Sequence, residues 1–198
     1  MDNNQNIFWN SLLKHSFVVG IVMLLSKITE TALLLNSNKY SLIFLECIVV
    51  FAAFLFMLIH FTKQYRKKVL DAMAEPKEFT FGRGFNYILM ICIIASIIIS
   101  FGSYIYIHKI VGYENYINGI LTTTKQYLAS VPNASGAGHS IEKMFEVVRS
   151  APKPGILREI WSGICSYAFY GAFWGLILSG ALRKGVSLSK ANDDDDDI

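Results

Sequence analysis

Three charged side chains lie within apolar stretches of the sequence, where a charge is costly. Lys27 and Glu30 belong to the first such stretch, and Glu46 belongs to the second. A charged group near the centre of a membrane-spanning helix costs at least about 2.5 kcal/mol, so such groups normally face other helices and pair. Lys27 and Glu30 are three residues apart, which places them side by side on one helix face. The spacing therefore predicts an ion pair inside the membrane with a second carboxylate near it.

Helix geometry predicts that these charges share one layer. The first stretch ends near Leu35 and the second begins near Tyr40, so a short connection makes the two helices antiparallel neighbours. At 1.5 Å per residue, Glu30, Lys27 and Glu46 lie about 7, 12 and 9 Å from that end of the helices. A polar stripe on the third apolar stretch can complete the cluster; it consists of Ser96, Ser100 and Ser103.

Two interpretations of this polar cluster remain open. A buried ion pair can fix the register of neighbouring helices without any further role. Alternatively, one glutamate is left without a cation, and the cluster is a proton or cation site. The sequence does not choose between a structural and a functional cluster.

The remaining reactive side chains form no recognisable site. The three cysteines all lie in apolar segments and are interpreted as small buried side chains. The four histidines are scattered, so no metal site is predicted, and no motif for a cofactor is present. No acid, base and nucleophile occur in a catalytic pattern, which argues against an enzyme. The cysteines are Cys47, Cys92 and Cys165, and the histidines are His15, His60, His108 and His139.

The composition indicates helices that span a membrane. The 198 residues are 53% hydrophobic and 17% charged, whereas a soluble domain is about 45–50% apolar and about 25% charged. The excess is concentrated in blocks near the roughly 20 residues that a spanning helix needs. The sequence therefore predicts an all-α, integral membrane four-helix bundle in one domain, residues 1–185. Its spans are residues 12–35, 40–62, 86–107 and 156–182.

Charge distribution predicts the orientation. The densest positive charge, Lys63–Lys68, follows the second span, and positive loops stay in the cytoplasm. Both termini are then cytoplasmic, and residues 108–155 form an extracytoplasmic loop. Polar spacing in that loop predicts two amphipathic helices, Tyr113–Leu128 and Ser140–Val148. The acidic tail, residues 186–198, is predicted to be disordered.

The basic residues between the second and third spans are expected to meet anionic lipid headgroups. Few aromatic residues are interleaved among them and a membrane span flanks each end, so a nucleic-acid partner is not expected. The predicted headgroup contacts are Arg66, Lys67, Lys68 and Arg83.

Small residues on the fourth span recur every four positions. Gly171, Gly175 and Ser179 therefore lie on one helix face and allow a second helix to approach closely. The stripe predicts helix packing, either inside one subunit or between two subunits.

Two short stretches resemble a known family. They are Tyr65-Arg66-Lys67-Lys68 and the segment from Glu78 to Phe85, which contains Thr80-Phe81-Gly82-Arg83. The sequence resembles the domain of unknown function 4199 family over roughly 12–184. The resemblance implies a four-helix topology in a bacterial inner membrane, and it brings no activity or site residues. Gly82 and Gly84 suggest either a hinge at the membrane surface or a simple interfacial anchor.

Two functions fit these patterns. The first is a non-catalytic scaffold or accessory subunit that packs against another membrane protein or another copy of itself. The alternative is a small transporter or lipid-translocating protein that uses the polar cluster in the bundle. The sequence ranks the scaffold first because no substrate motif accompanies the charges.

Overall fold

The structure, a computed structural model, describes residues 3–36, 40–72, 79–130 and 138–183, and these residues contain helices and no β-strand. A π-helical turn, Tyr106–Val111, continues the third helix. The α-helices are α1 (Asn3–Asn36), α2 (Tyr40–Asp71), α3 (Phe81–Ile105), α4 (Tyr113–Ser130), α5 (Gly138–Ser150) and α6 (Ile156–Arg183). The predicted all-α class is confirmed. The predicted short connection at 37–39 and the acidic tail at 186–198 lie outside the described residues.

Four of these helices are long and apolar enough to cross a membrane. The candidate spans are Gln5–Leu35, Ser41–Asp71, Phe81–Val111 and Ile156–Leu182. Each of the first three is 31 residues long, which is more than the roughly 20 residues that a bilayer core requires. Length and composition therefore indicate a membrane protein with four candidate spanning helices in the described residues.

The basic run after the second apolar stretch is helical, whereas the sequence suggested a loop. α2 continues through Lys63–Lys68 to Asp71, because its buried stripe continues with it. Tyr65 and Val69 are 4% and 3% exposed and extend the stripe formed by Phe54 and Leu58. We call this end of the helix bundle the basic end, and the opposite end, near α4 and α5, the loop end.

Of the two interpretations of Gly82 and Gly84, the hinge does not fit the structure. α3 begins at Phe81, so Gly82 and Gly84 lie within its first turns. Phe79 is 3% exposed, and a Cβ on Gly84 would lie 3.0 Å from the Ser179 hydroxyl of α6. Gly84 is thus required for close packing between α3 and α6.

α3 lies at the centre of the bundle and packs against both α1 and α6. The small residues predicted for helix packing make the α3–α6 contact inside the subunit. A Cβ on Gly171 would lie 2.8 Å from Cys92 Cβ, and one on Gly175 would lie 3.1 Å from the Phe85 ring. Ser179 belongs to the same face and is 2% exposed.

α2 is attached to the bundle over one half of its length. It packs mainly on α1 and less on α3. Its buried residues all fall between Phe54 and Val69, and no residue from 41 to 53 is buried. The loop-end half of α2 is therefore loosely packed, and its Phe51 ring lies 5.7 Å from the Trp174 ring of α6.

The two predicted helices between the third and fourth spans are present as α4 and α5. α4 lies across the end of α1, where the Thr123 hydroxyl donates a hydrogen bond to the Leu34 carbonyl at 3.2 Å. α5 packs on α4 with Phe145 buried, and the Lys125 ammonium lies 5.3 Å from the centre of that ring. Together they cover part of the loop end.

Candidate functional site: a charged cleft between the spanning helices

A cleft of about 480 Å³ opens among α1, α2, α3 and α6 in the loop-end half of the bundle. It lies where the loop-end half of α2 has no fully buried residue. Three carboxylates and one ammonium line it, a formal excess of two negative charges; these groups are Glu30, Glu46, Glu159 and Lys27. Glu159 lies in the first turn of α6, near the end of its span, whereas Glu30 and Glu46 lie farther inside theirs, where a carboxylate is costly unless water, a cation or a proton reaches it.

The ion pair is made within α1. Lys27 Nζ donates a hydrogen bond to Glu30 Oε2 at 2.9 Å, and the two side chains are 38% and 33% exposed. Because Lys27 is committed to Glu30, it offsets only part of the charge on the other two carboxylates. The pair is open to the cleft and is not sealed in the core.

Glu46 lies on α2 and Glu159 lies on α6, so the two remaining carboxylates approach the ion pair from different helices. Glu46 is close enough to sense the charges of both Lys27 and Glu30. Within the described residues, no three histidine, cysteine or acidic side chains are arranged to hold a metal ion. The carboxylates therefore surround the cleft and do not converge on a single point.

Of the three serines in the predicted stripe, two line the cleft and one does not. Ser100 and Ser103 line the cleft, and the buried Ser103 hydroxyl has no hydrogen-bond partner within the described residues. Ser96 is fully buried below them, where its hydroxyl donates to the Ile93 carbonyl at 2.6 Å. Ser96 is thus on the same helix face but not at the cleft.

Three tyrosines also line the cleft: Tyr113 and Tyr116 from α4 and Tyr167 from α6. Tyr116 and Tyr167 both lie close enough to Lys27 and Glu30 to sense their charges. Burial raises the pKa of the Tyr116 phenol, so this group stays neutral and keeps its proton as a hydrogen-bond donor.

The π-helical turn adjoins the cleft. Ile107 from this turn lines the cleft, and the neighbouring His108 ring is stacked between Tyr104 and Tyr113, with ring centres 4.2 and 5.0 Å away. His108 Nε2 is buried and lacks a hydrogen-bond partner in the described part of the chain. π-Helical turns are rare and frequently occur at functional sites.

Sequence reasoning missed the contribution of α6. Its cleft residues recur at the spacing of one helix face, with Glu159 followed by a serine at 162, a glycine at 163 and a serine at 166. That periodicity was a usable signal. It was overlooked because the small-residue stripe farther along the same span, which packs on α3, was the more conspicuous pattern.

The basic end is closed by packed side chains. The His15 ring is 2% exposed; its Nδ1 is hydrogen-bonded to the hydroxyl of Tyr87, and its face stacks on Phe61 with ring centres 4.3 Å apart. Tyr87 in turn stacks on Tyr65 at 4.0 Å. Between these rings and the cleft, α1 and α3 bury apolar residues: Val19, Ile91 and Ala95.

The four residues predicted to meet lipid headgroups occupy different positions at this end. Arg66 Nη1 donates to the Leu182 carbonyl at 2.9 Å and so satisfies the last turn of α6. Lys68 Nζ approaches the Ser11 hydroxyl at 3.4 Å. Lys67 is exposed, and Arg83 lines a depression of about 140 Å³ beside the Tyr65 ring.

The fold and the cleft define a multi-span, all-α membrane protein with charged groups inside its spanning layer. The chain belongs to the family described as protein of unknown function (DUF4199), whose profile matches residues 14–184. The family resemblance inferred from the sequence is confirmed. No match was found among curated proteins or among solved structures.

Proposed function

We propose that the protein is a small transporter that admits a cationic ligand to the cleft between α1, α2, α3 and α6. The observation that carries this proposal is the excess of carboxylates over ammonium groups around the cleft. A structural ion pair requires only Lys27 and Glu30. The carboxylates of Glu46 and Glu159, which come from two further helices, have no role in that pair.

The shape of the bundle supports transport over scaffolding. The cleft is open at Cys47, Ser162 and Ser166, which all line it and are exposed. Toward the basic end, the apolar layer and the His15–Tyr87 pair close the path. Alternating access requires a site that is closed toward one face of the membrane, and the cleft meets that requirement at the basic end, while its opening faces sideways between α2 and α6.

The native Cys47 thiol provides a direct test of the charge in the cleft. In a Cys165→Ser background, we expect a trimethylammonium methanethiosulfonate to modify Cys47 about tenfold faster than the sulfonate analogue, after each rate is divided by its rate with a free thiol. A tenfold ratio corresponds to about 1.4 kcal/mol of electrostatic attraction. Glu46→Gln and Glu159→Gln should each reduce the ratio.

The matched control is Cys165, which is exposed on α6 and does not line the cleft. In a Cys47→Ser background, Cys165 should react with the two reagents in the ratio of the free thiol. Cys92 is buried and should contribute little to either rate, whereas the interpretation of Cys47 and Cys165 as buried was wrong, since both are exposed. A Cys47 ratio equal to that of the free thiol would contradict a cation-selective cleft.

We also propose a bacterial inner-membrane location with the basic end in the cytoplasm. Support comes from the concentration of Lys63, Lys67, Lys68 and Arg83 at that end, where anionic lipid headgroups would be the partner. Both termini then lie in the cytoplasm.

Orientation can be measured with cysteines introduced at exposed positions. Met144 on α5 is 53% exposed, and Lys67 near the end of α2 is also exposed. In intact spheroplasts, we expect a membrane-impermeant thiol reagent to modify Met144→Cys and to leave Lys67→Cys unmodified until the membrane is permeabilised. The opposite pattern would reverse the orientation.

A scaffold is the second candidate, and α5 is the feature that favours it. This helix buries Phe145 but leaves Met144 and Val147 53% and 67% exposed. Extraction in mild detergent separates the two functions. A stoichiometric membrane partner would favour the scaffold, whereas a cation-selective Cys47 in isolated protein would favour the transporter.

A further inference from the structure

We propose that the cleft binds an organic ammonium group, held by carboxylates and by the faces of Tyr116 and Tyr167. This inference rests on the proposed function, because it names the chemical class of the cation that the cleft admits. It goes beyond that function because an inorganic cation would satisfy the charge equally well. Three features of the cleft distinguish the two kinds of ligand.

The first feature is the size of the cleft. Its volume of about 480 Å³ falls in the range of about 300–1,000 Å³ that is usual for small-molecule sites. A bare metal ion requires several oxygen ligands within about 2.6 Å, and no three acidic, histidine or cysteine side chains in the described residues are placed to hold one. The carboxylates come from three helices, α1, α2 and α6, around a cleft large enough for an organic cation.

The second feature is the aromatic lining. An ammonium group is attracted to the face of a tyrosine ring, and the attraction increases when water is excluded. Tyr116 and Tyr167 come from different helices, and both lie near the Lys27–Glu30 pair. A ligand beside that pair therefore meets carboxylates and aromatic rings together, a combination that favours alkylated ammonium over hydrated potassium.

The third feature is the opening between α2 and α6. Cys47, Ser162 and Ser166 are exposed there, and the adjoining side chains of Ile48 and Phe169 are exposed and apolar, at 49% and 72%. The same ammonium chemistry is available from a water-soluble amine or from a lipid headgroup that enters sideways. The experiment therefore requires one arm for each source.

The rate of Cys47 modification by an uncharged maleimide reports occupancy of the cleft. In the Cys165→Ser protein in non-ionic detergent, we expect tetramethylammonium chloride to slow the reaction at least fivefold. Potassium chloride at equal ionic strength and tert-butyl alcohol, a neutral compound of similar shape, should leave the rate within twofold.

A second arm compares nanodiscs of phosphatidylcholine and phosphatidylglycerol. Slower modification in phosphatidylcholine would assign the ammonium to a lipid headgroup, and equal rates would assign it to a soluble amine.

Paired substitutions test the tyrosine faces. Tyr167→Leu and Tyr116→Leu should each reduce the protection by tetramethylammonium at least threefold, whereas Tyr167→Phe and Tyr116→Phe should retain it, because phenylalanine keeps the ring face. Size-exclusion profiles check that each variant is folded. If a tyrosine variant misfolds, the comparison of tetramethylammonium with potassium in the Cys165→Ser protein still tests the inference.

The outcomes separate this inference from the proposed function. If potassium protects Cys47 as well as tetramethylammonium does, the organic ligand is wrong while a cation-selective cleft stands. If neither salt protects but the charged reagents still differ, the inference also fails alone. If the charged reagents do not differ, the proposed function fails, and the inference fails with it.

Discussion

Replacing Gly171 by leucine is expected to lower the free energy of unfolding by about 3 kcal/mol, the upper part of the range for overfilling a packed interface. A Cβ at this position would lie 2.8 Å from Cys92 Cβ and 3.3 Å from Leu89 Cα. Neither atom can move away by rotation of a flexible side chain, so α3 and α6 must separate. Unfolding in mixed micelles of increasing denaturing detergent measures the change.

Gly180 gives a matched control on the same helix. A Cβ there meets no atom within 4 Å, so Gly180→Leu should be neutral or slightly stabilising through its better helix propensity. If Gly171→Leu and Gly180→Leu lower the free energy of unfolding equally, the α3–α6 contact does not depend on a small residue at position 171.

Lys27→Met is expected to destabilise the protein by about 1–2 kcal/mol. Removal of the ammonium leaves Glu30 without its partner beside Glu46, and an unpaired charge in a span is more costly than no charge at all. The estimate lies below the value for a fully buried pair because Lys27 is 38% exposed. Lys27→Met combined with Glu30→Gln should recover most of the loss, since the uncompensated carboxylate is then gone.

An exposed ion pair at the loop end provides the control for the Lys27 and Glu30 variants. Lys153 lies 3.0 Å from Glu114, and the two side chains are 59% and 80% exposed. Lys153→Met should therefore cost no more than about 0.5 kcal/mol. If Lys27→Met costs no more than Lys153→Met, the cleft is as well solvated as the protein surface, and its carboxylates need no cation.

The sequence anticipated the fold because membrane spans follow strong local rules. The length and hydropathy of the apolar stretches sufficed for the all-α class. Helix periodicity and one short connection also placed Lys27, Glu30 and Glu46 in one layer, and all three line the cleft in the structure. These inferences needed only contacts between neighbours in sequence or a known helix rise.

The rest of the cleft depends on contacts between distant parts of the chain. Glu159 and Tyr167 reach it because α6 packs on α3 through glycines, and Tyr116 reaches it because α4 crosses the end of α1. The π-helical turn at Tyr106–Val111 has no signal in hydropathy. The same limit applies to Gly84, since a glycine that permits close packing and one that permits bending are indistinguishable in sequence.

The uneven burial of α2 has a mechanical consequence. Every buried residue of this helix lies between Phe54 and Val69. The segment that carries Glu46 is therefore held mainly from the part of the helix nearer the basic end. Its displacement breaks few contacts and requires no cooperative unfolding of the bundle. Since the tilt of a span responds to bilayer thickness where neighbouring helices do not fix it, we expect the loop-end half of this 31-residue span to be the part of the bundle most sensitive to the thickness of the surrounding lipid.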